Sequence, residues 1–207
     1  MVTLNRITTR AGDDGHSALA DGSRLPKDHA RFEALGGVDL LGCQLGVVRS
    51  LAVPGGVLAR LLLLLQNELY DLGADLAYAS PVGKPDLPTL RVTGAQVEGL
   101  ERVQAFFQKD MPPLTSFVLP GAQHLEALLQ VTRATCRCAE RQVARLLHDQ
   151  DSWVNPLALV YLNRLADLLF VLARWVLLRH DADSAGSLWV PGATTQGGIT
   201  LAALGIE

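Results

Sequence analysis

The 207 residues are 49% hydrophobic, 19% charged and only 5% aromatic, with a formal charge of -3, a length that suits one domain with a substantial core. The lack of a net basic field excludes a sequence-independent grip on nucleic acid phosphates. Cys43, Cys136 and Cys138 form neither a paired zinc set nor a disulfide scaffold, which fits a reducing cytoplasm. Leu and Ala, rather than Val, Ile or Phe, carry the apolar character and point to helices.

Met1 to Pro26 mixes Thr, Gly, Asp and Ser without apolar periodicity, so it reads as an extended or flexible loop. Its charges at Arg6, Arg10, Asp13 and Asp14 and its missing apolar run exclude a signal peptide. From about Lys27 the pattern turns helical through Phe32, Leu35, Val38, Leu41, Leu45 and Val48, until Pro54-Gly55-Gly56 breaks it. A second helix is predicted from Val57 to about Tyr78, before the turn cluster Ser80 to Pro85. Here Gln66, Asn67, Glu68, Asp71 and Asp75 read as a solvent-facing or subunit-facing side. A third helix spans about Gly94 to Lys109 and is closed by Met111-Pro112-Pro113. A fourth follows Gly121 and runs to about His148, and a fifth runs from Asn155-Pro156, good N-terminal chemistry, to about His180. The most hydrophobic segment, Leu157 to Leu178, carries Asn163, Arg164, Asp167 and Arg174, which are costly in a bilayer centre, so it reads as a bundle helix. The tail from Asp181, with Ser184 and several Gly and Pro, has little to bury and reads as mobile. The product is an all-α bundle of five helices, with the second and fifth the most buried.

On the wheel of the fourth helix, Leu125, Leu128, Val131, Thr135, Ala139, Val143 and Leu146 form the predicted core stripe. Nearly opposite lie Arg133, Arg137, Glu140 and Arg141. A solvated face with an Arg137–Glu140 contact is one reading. Against it, Arg133 and Arg137 are like charges one turn apart, which call for an anion or an acidic partner. On the fifth helix Asn163, Asp167 and Arg174 share a face within apolar sequence, and an intrabundle network and a ligand contact both fit. The loop Thr8 to Ser17 has two glycines beside hydroxyls and Arg10, an arrangement that turns N–H groups toward an anion, although a plain turn has the same composition. Lys27 is the next cation. The five histidines have no metal-ligand spacing, and no nucleophile triad is visible.

Several blocks together resemble the ATP:cob(I)alamin adenosyltransferases of the propanediol-utilisation type. They are Thr9 to Gly15, Lys27-Asp28, Arg31 to Ala34 leading to Gly36-Gly37-Val38-Asp39, Gln66 to Leu76, Phe117 to Gly121, Arg133 to Arg141, and Tyr161 to Phe170. The resemblance spans about Thr8 to Arg174. It implies one adenosyltransferase domain over 1–207: an up-and-down, ferritin-like five-helix bundle at 27–180, preceded by an ATP-binding loop at 1–26 and followed by the tail at 181–207. It further implies a homotrimer holding ATP and corrinoid between subunits, and transfer of the 5′-deoxyadenosyl group from Mg-ATP to cob(I)alamin with release of triphosphate. Carried over by position, Thr9, Arg10, Ala11, Gly12, Ser17 and Lys27 would line the triphosphate site. Arg137, Glu140, Arg141 and Asn163 would complete the nucleotide site, with Glu140 nearest the Mg2+. Phe117 would lie under the corrin, and Asp39 would pair with Arg133 across the subunit boundary. A flavoprotein reductase and an adenosylcobalamin-dependent enzyme are the implied protein partners; nucleic acid and membrane are not.

The chemistry agrees with these roles. The cobalt is itself the nucleophile, so the protein has only to position C5′ and stabilise the leaving triphosphate. Departures from the family pattern are Leu40 and Gly42 for a carboxylate and an amide, Ala11 for a threonine, Ala122 for a glycine, and Cys138 for one arginine of a pair. If that arginine neutralised triphosphate, its loss would cost roughly 2–4 kcal/mol, but on the wheel Cys138 projects away from the Arg133, Arg137 and Glu140 face. A relative that binds corrinoid or nucleotide without efficient turnover is the alternative reading, and a purely structural bundle a third.

Overall fold

The computed structural model describes residues 8–80, 89–149, 153–180 and 186–205. The predicted turn at residues 81–85, the start of the leading loop and the first residues of the tail, Asp181 and Ser184 among them, lie outside the described residues. Five helices form where the periodicity places them: α1 Ala30–Leu51, α2 Val57–Leu76, α3 Gly94–Gln108, α4 His124–Leu147 and α5 Pro156–His180. Helix α1 lies between α2 and α4, and α5 lies between α4 and α3. One hydrophobic core runs through all five.

Local chemistry sets the helix ends. Thr93 and Gln96 close a reciprocal capping box at the start of α3. At the start of α5, Asn155 accepts from Leu157 N at 3.1 Å ahead of Pro156. Helix α1 meets α4 closely at Gly37, where a Cβ would lie 3.3 Å from the Cα of Ala139 and overlap the Gln142 side chain. A larger residue would have to displace the Gln142 side chain and press on the α4 backbone.

Helix α5 is the central element: Tyr161, Leu162, Leu165, Leu168, Leu169 and Leu172 are all fully buried. It is long and apolar enough to cross a membrane by length and composition, as is α1; in the bundle its apolar face is taken up by its neighbours. Helix α2, the other helix expected among the most buried, is buried less completely than α5. It packs mainly on α1 and leaves Leu63 and Leu64 on the surface, because a run of five leucines covers every side of a helix that has one principal neighbour.

Two expectations are corrected. The stretch before Pro26 is not all loop: β1 His16–Ala18 pairs antiparallel with β2 Arg24–Pro26, too short for periodicity to reveal. Its turn is fixed by Gly22 at φ 87° and by Asp21, which accepts from the amide and hydroxyl of Ser23, while buried Leu19 and an Ala20 N to Ala77 O bond dock it on the end of α2. The buried stripe of α4 is rotated in its first half, to Leu129, Thr132 and Cys136, with Val131 exposed. Glu126 and Gln130 are buried there because each finds a partner, Gly121 N and Arg133 Nε respectively, which a wheel weighted by hydrophobicity does not register. Among the described residues of the tail, β4 Ser187–Leu188 pairs with β3 Val118–Leu119.

Candidate functional site

Three places collect the residues singled out by sequence. The first is the hairpin. Lys27 N donates to Gly15 O at 2.9 Å, folding the strand end back over the loop, so that a Cβ at Gly12 would stand 3.0 Å from Lys27 Nζ. The glycine leaves room for the ammonium. Arg10 adopts φ 61°, an unfavourable region for a residue with a Cβ, and Thr9 Oγ1 accepts from Ala11 N at 3.4 Å. Arg24 donates to Ala11 O at 2.7 Å and to Asp14 at 3.0 Å. The His16 amide and Arg24 together hold the Asp14 carboxyl below its usual range. Ser17 sits half-buried in β1, paired with Leu25.

The second is the outer face of α4 against α5 and α3. Asn163 Nδ2 donates to Glu140 Oε1 at 2.9 Å, Arg164 donates to Asn163 Oδ1 at 2.9 Å, and Arg164 Nε meets Glu101 at 2.7 Å. The sequence left a network and a ligand contact open for Asn163, and the network is present. Arg137 Nη1 is 3.9 Å from Glu140 Oε2, beyond hydrogen-bond reach, with its side chain half exposed. Arg141 projects outward and donates to Cys138 Sγ at 3.0 Å. Cys138 is thus exposed on the Arg141 side, away from the Glu140–Asn163 contact.

Beside this face a cavity of about 230 Å3 opens between α3, α4 and α5, lined by Gln108, Arg133, Arg137, Asp167, Phe170 and Arg174 among others. Arg133 is held by Gln130 Oε1 at 2.8 Å and lies over the Phe170 ring at 6.0 Å. Arg174 donates to Pro112 O at 2.6 Å, and desolvation lowers its pKa.

The third place is an aromatic platform. Phe117, 77% exposed, precedes β3, and its ring meets Trp189 at 5.9 Å. Trp189 N donates to Phe117 O at 2.7 Å, and Ser116 Oγ donates to Trp189 O at 2.6 Å. Asp39 lies elsewhere, exposed on α1 at the wall of a largely apolar groove of about 460 Å3 between α1 and α2.

The family model described as Cobalamin adenosyltransferase matches residues 7–176. The chain belongs to the cobalamin adenosyltransferase family. A corrinoid adenosyltransferase of Mycobacterium leprae is 38% identical over 92% of this chain and 98% of its own length. The human corrinoid adenosyltransferase MMAB is 34% identical over 86% of this chain and 71% of its own length. Among solved structures, a variant PduO-type ATP:corrinoid adenosyltransferase from Lactobacillus reuteri, complexed with cobalamin and ATP, superposes with a TM-score of 0.78 at 29% identity, covering 89% of this chain and 99% of that one. A second variant of that enzyme, complexed with ATP, gives 0.73 at 31% identity, covering 83% and 93%.

Within the adenosyltransferase fold, one chain brings Gly12 against Lys27 on the segment that also carries Thr9, Arg10, Ala11 and Ser17, and separately gathers Arg133, Arg137, Glu140 and Asn163. Asp39 and Arg133 line different cavities that share no residue. The sequence reading missed Trp189. A single large aromatic within a Gly- and Pro-rich tail was the available signal, yet nothing local ties it to a phenylalanine 72 positions earlier.

Proposed function

We propose that this chain transfers the 5′-deoxyadenosyl group of Mg-ATP to cob(I)alamin, with the hairpin and the α4–α5 face as two halves of one nucleotide site. The observation that carries the reading is the open cationic cavity. Three guanidiniums, Arg133, Arg137 and Arg174, line a polar space between α3, α4 and α5, and the chain also presents an exposed aromatic side chain at Phe117. The attacking group is the corrinoid cobalt, so no side-chain nucleophile is required of the protein. Its tasks are to hold C5′ in line and to stabilise charge on the departing triphosphate. Lys27 over Gly12 supplies one cation, and a loop open enough to admit phosphate oxygens. Arg137, not within hydrogen-bond distance of Glu140, keeps donors for the triphosphate. Asn163 fixes the Glu140 carboxylate.

Among the described residues no group of three or more His, Cys, Asp and Glu could hold a metal. That donor set fits a magnesium ion that arrives on the nucleotide phosphates and takes one protein carboxylate, since magnesium commonly binds through one or two carboxylates plus phosphates. Glu140 would be that carboxylate, and the ion would supply charge neutralisation at the leaving group. Phe117, backed by Trp189, offers an apolar face to the corrin where its lower axial ligand would otherwise stand.

The two halves sit on separate elements, and Asp39 stands on a groove apart from Arg133, which supports a homotrimer with each site completed by a neighbouring subunit. We place the reaction in the cytoplasm, where Cys43, Cys136 and Cys138 persist as free thiols.

The test is an anaerobic assay with the full chain, Mg-ATP and chemically reduced cobalamin, following loss of the cob(I)alamin absorbance and release of triphosphate. Turnover with stoichiometric triphosphate is the expected result. Tight corrinoid binding without turnover would overturn catalysis in favour of a carrier.

A further inference from the structure

Resting on the proposed role of Phe117, we infer that Glu126 of α4 is a positioning residue for the corrinoid platform, holding the strand that follows Phe117 through the amide of Gly121. Phe117 is 77% exposed, so packing of its own ring, which meets Trp189 at 5.9 Å, leaves most of its surface free. Its place is set by the backbone. That backbone runs into β3, two residues paired with two of β4, and a two-stranded ribbon is marginal in water without further support.

Helix α4 supplies a support. Beyond β3, Pro120 holds its own φ, and Gly121 turns the chain at φ 115°, a conformation that residues with a Cβ rarely adopt. The Gly121 amide then donates to Glu126 Oε2 at 3.1 Å. Glu126 is itself firmly placed. It stands in the first turn of α4, where the helix dipole favours a carboxylate, its amide donates to the side chain of the capping Gln123 at 3.0 Å, and the residue is 1% exposed. One turn further on, Leu129 is fully buried in the core. A short side chain on a seated helix thus reaches the joint between that helix and the strand next to Phe117.

The energetics set this carboxylate apart from an ordinary core group. Its second oxygen, Oε1, is buried without a partner, and an unsatisfied buried acceptor weakens a fold. An apolar side chain of similar volume is often neutral or stabilising in place of a buried charge. Nor does Gly121 require the bond for its own sake, since it is exposed and water can satisfy its amide. What Glu126 provides that leucine cannot is an acceptor at a fixed point, and hence a fixed geometry for the chain that leads back to Phe117.

The experiment compares the full wild-type chain with Glu126→Leu and Glu126→Gln in the presence of Mg-ATP. Electron paramagnetic resonance of bound cob(II)alamin reads the ratio of four-coordinate to five-coordinate cobalt, which reports whether the platform stands where the lower axial ligand would. Melting curves and the KM for ATP are measured beside it. The expected result is that Glu126→Leu melts no lower than the wild type and keeps its KM for ATP, yet lowers the ratio by about tenfold, the weight of one hydrogen bond to a charged group. Glu126→Gln, which keeps an acceptor oxygen, should recover part of that loss. A wild-type ratio in Glu126→Leu would overturn the inference. So would a lowered melting temperature with a raised KM for ATP, or a Glu126→Leu chain that does not fold, either of which would make Glu126 a general support of the bundle. Equal losses in the two variants would remove the hydrogen bond as the cause. A wild type that turns over cob(I)alamin but holds cob(II)alamin only as five-coordinate would end the platform role of Phe117 and this inference, with the transferase reading intact. The four-coordinate signal without turnover would sink the transferase reading and leave the role of Glu126 standing.

Discussion

Two charged regions of this bundle obey opposite rules. At the end where α2 stops, Asp75 is 1% exposed and accepts from Arg91 at 2.6 Å, Val92 N at 2.8 Å and Asn155 at 2.7 Å. Arg91 stacks on Tyr78 and Trp153, and Arg31, fully buried, reaches the carbonyl oxygens of Leu76, Tyr78 and Trp153. Midway along α4, by contrast, Arg137 is half exposed, with Glu140 3.9 Å away. Buried charges survive only when nearly all their hydrogen bonds are made within the protein, and the first region has spent most of its donors there, Arg31 Nε being buried without a partner, so it serves the fold. The second is incompletely paired, which is what the proposed nucleotide site requires.

The comparison can be broken most severely at Asp75. Asp75→Ala should cost about 3–5 kcal/mol, the range for removing one partner of a buried pair, and lower the melting temperature by roughly 6–20 °C, with corrinoid and ATP affinities intact below the transition. A melting curve that hardly moves would show that the network is dispensable. At the other region, Arg137→Ala should leave thermal stability within about 0.5 kcal/mol of the parent, as surface changes do, yet reduce kcat by about 10²–10³-fold in the anaerobic assay. A drop in stability matched by little loss of rate would reverse the two assignments.

The boundary between subunits sharpens the contrast further. If Asp39 meets Arg133 across it, Asp39→Arg and Arg133→Asp should each weaken assembly or activity. The double variant should recover a coupling of about 0.5–3 kcal/mol, read by analytical ultracentrifugation together with the assay; purely additive losses would exclude the pair. The smallest effect belongs to Cys138. Because it faces Arg141 rather than the Glu140–Asn163 contact, Cys138→Arg should change the rate by less than about threefold, within the ±0.5 kcal/mol of an ordinary surface substitution. A tenfold gain would instead mark Cys138 as a real loss of catalytic charge.

The number, order and limits of the helices were legible in the sequence because leucine and alanine recur with helical periodicity and because Gly, Pro and Asn-Pro punctuate them. Arg137, Glu140 and Asn163 were legible too, as polar residues on helices whose other faces are apolar. Asp75 was misread as surface for the reason that makes it informative. One-dimensional pattern treats a carboxylate as solvent-seeking, and its partners Arg91 and Asn155 lie 16 and 80 positions away. The half-buried Glu68 repeats the lesson, accepting from Tyr161 OH at 2.7 Å across 93 positions, with burial raising its pKa above the usual carboxylate value.

The sequence by itself therefore determined the all-helical class and the helix limits, through local periodicity and punctuation, and pointed to the family through motif blocks spread from about Thr8 to Arg174. The tertiary structure alone decided which face of α4 turns inward, that Lys27 lies over Gly12, that the tail brings Trp189 to Phe117, and that Arg133, Arg137 and Arg174 open onto one cavity. Those outcomes follow from packing and from the pairing of buried polar groups, which join positions that no sequence window contains.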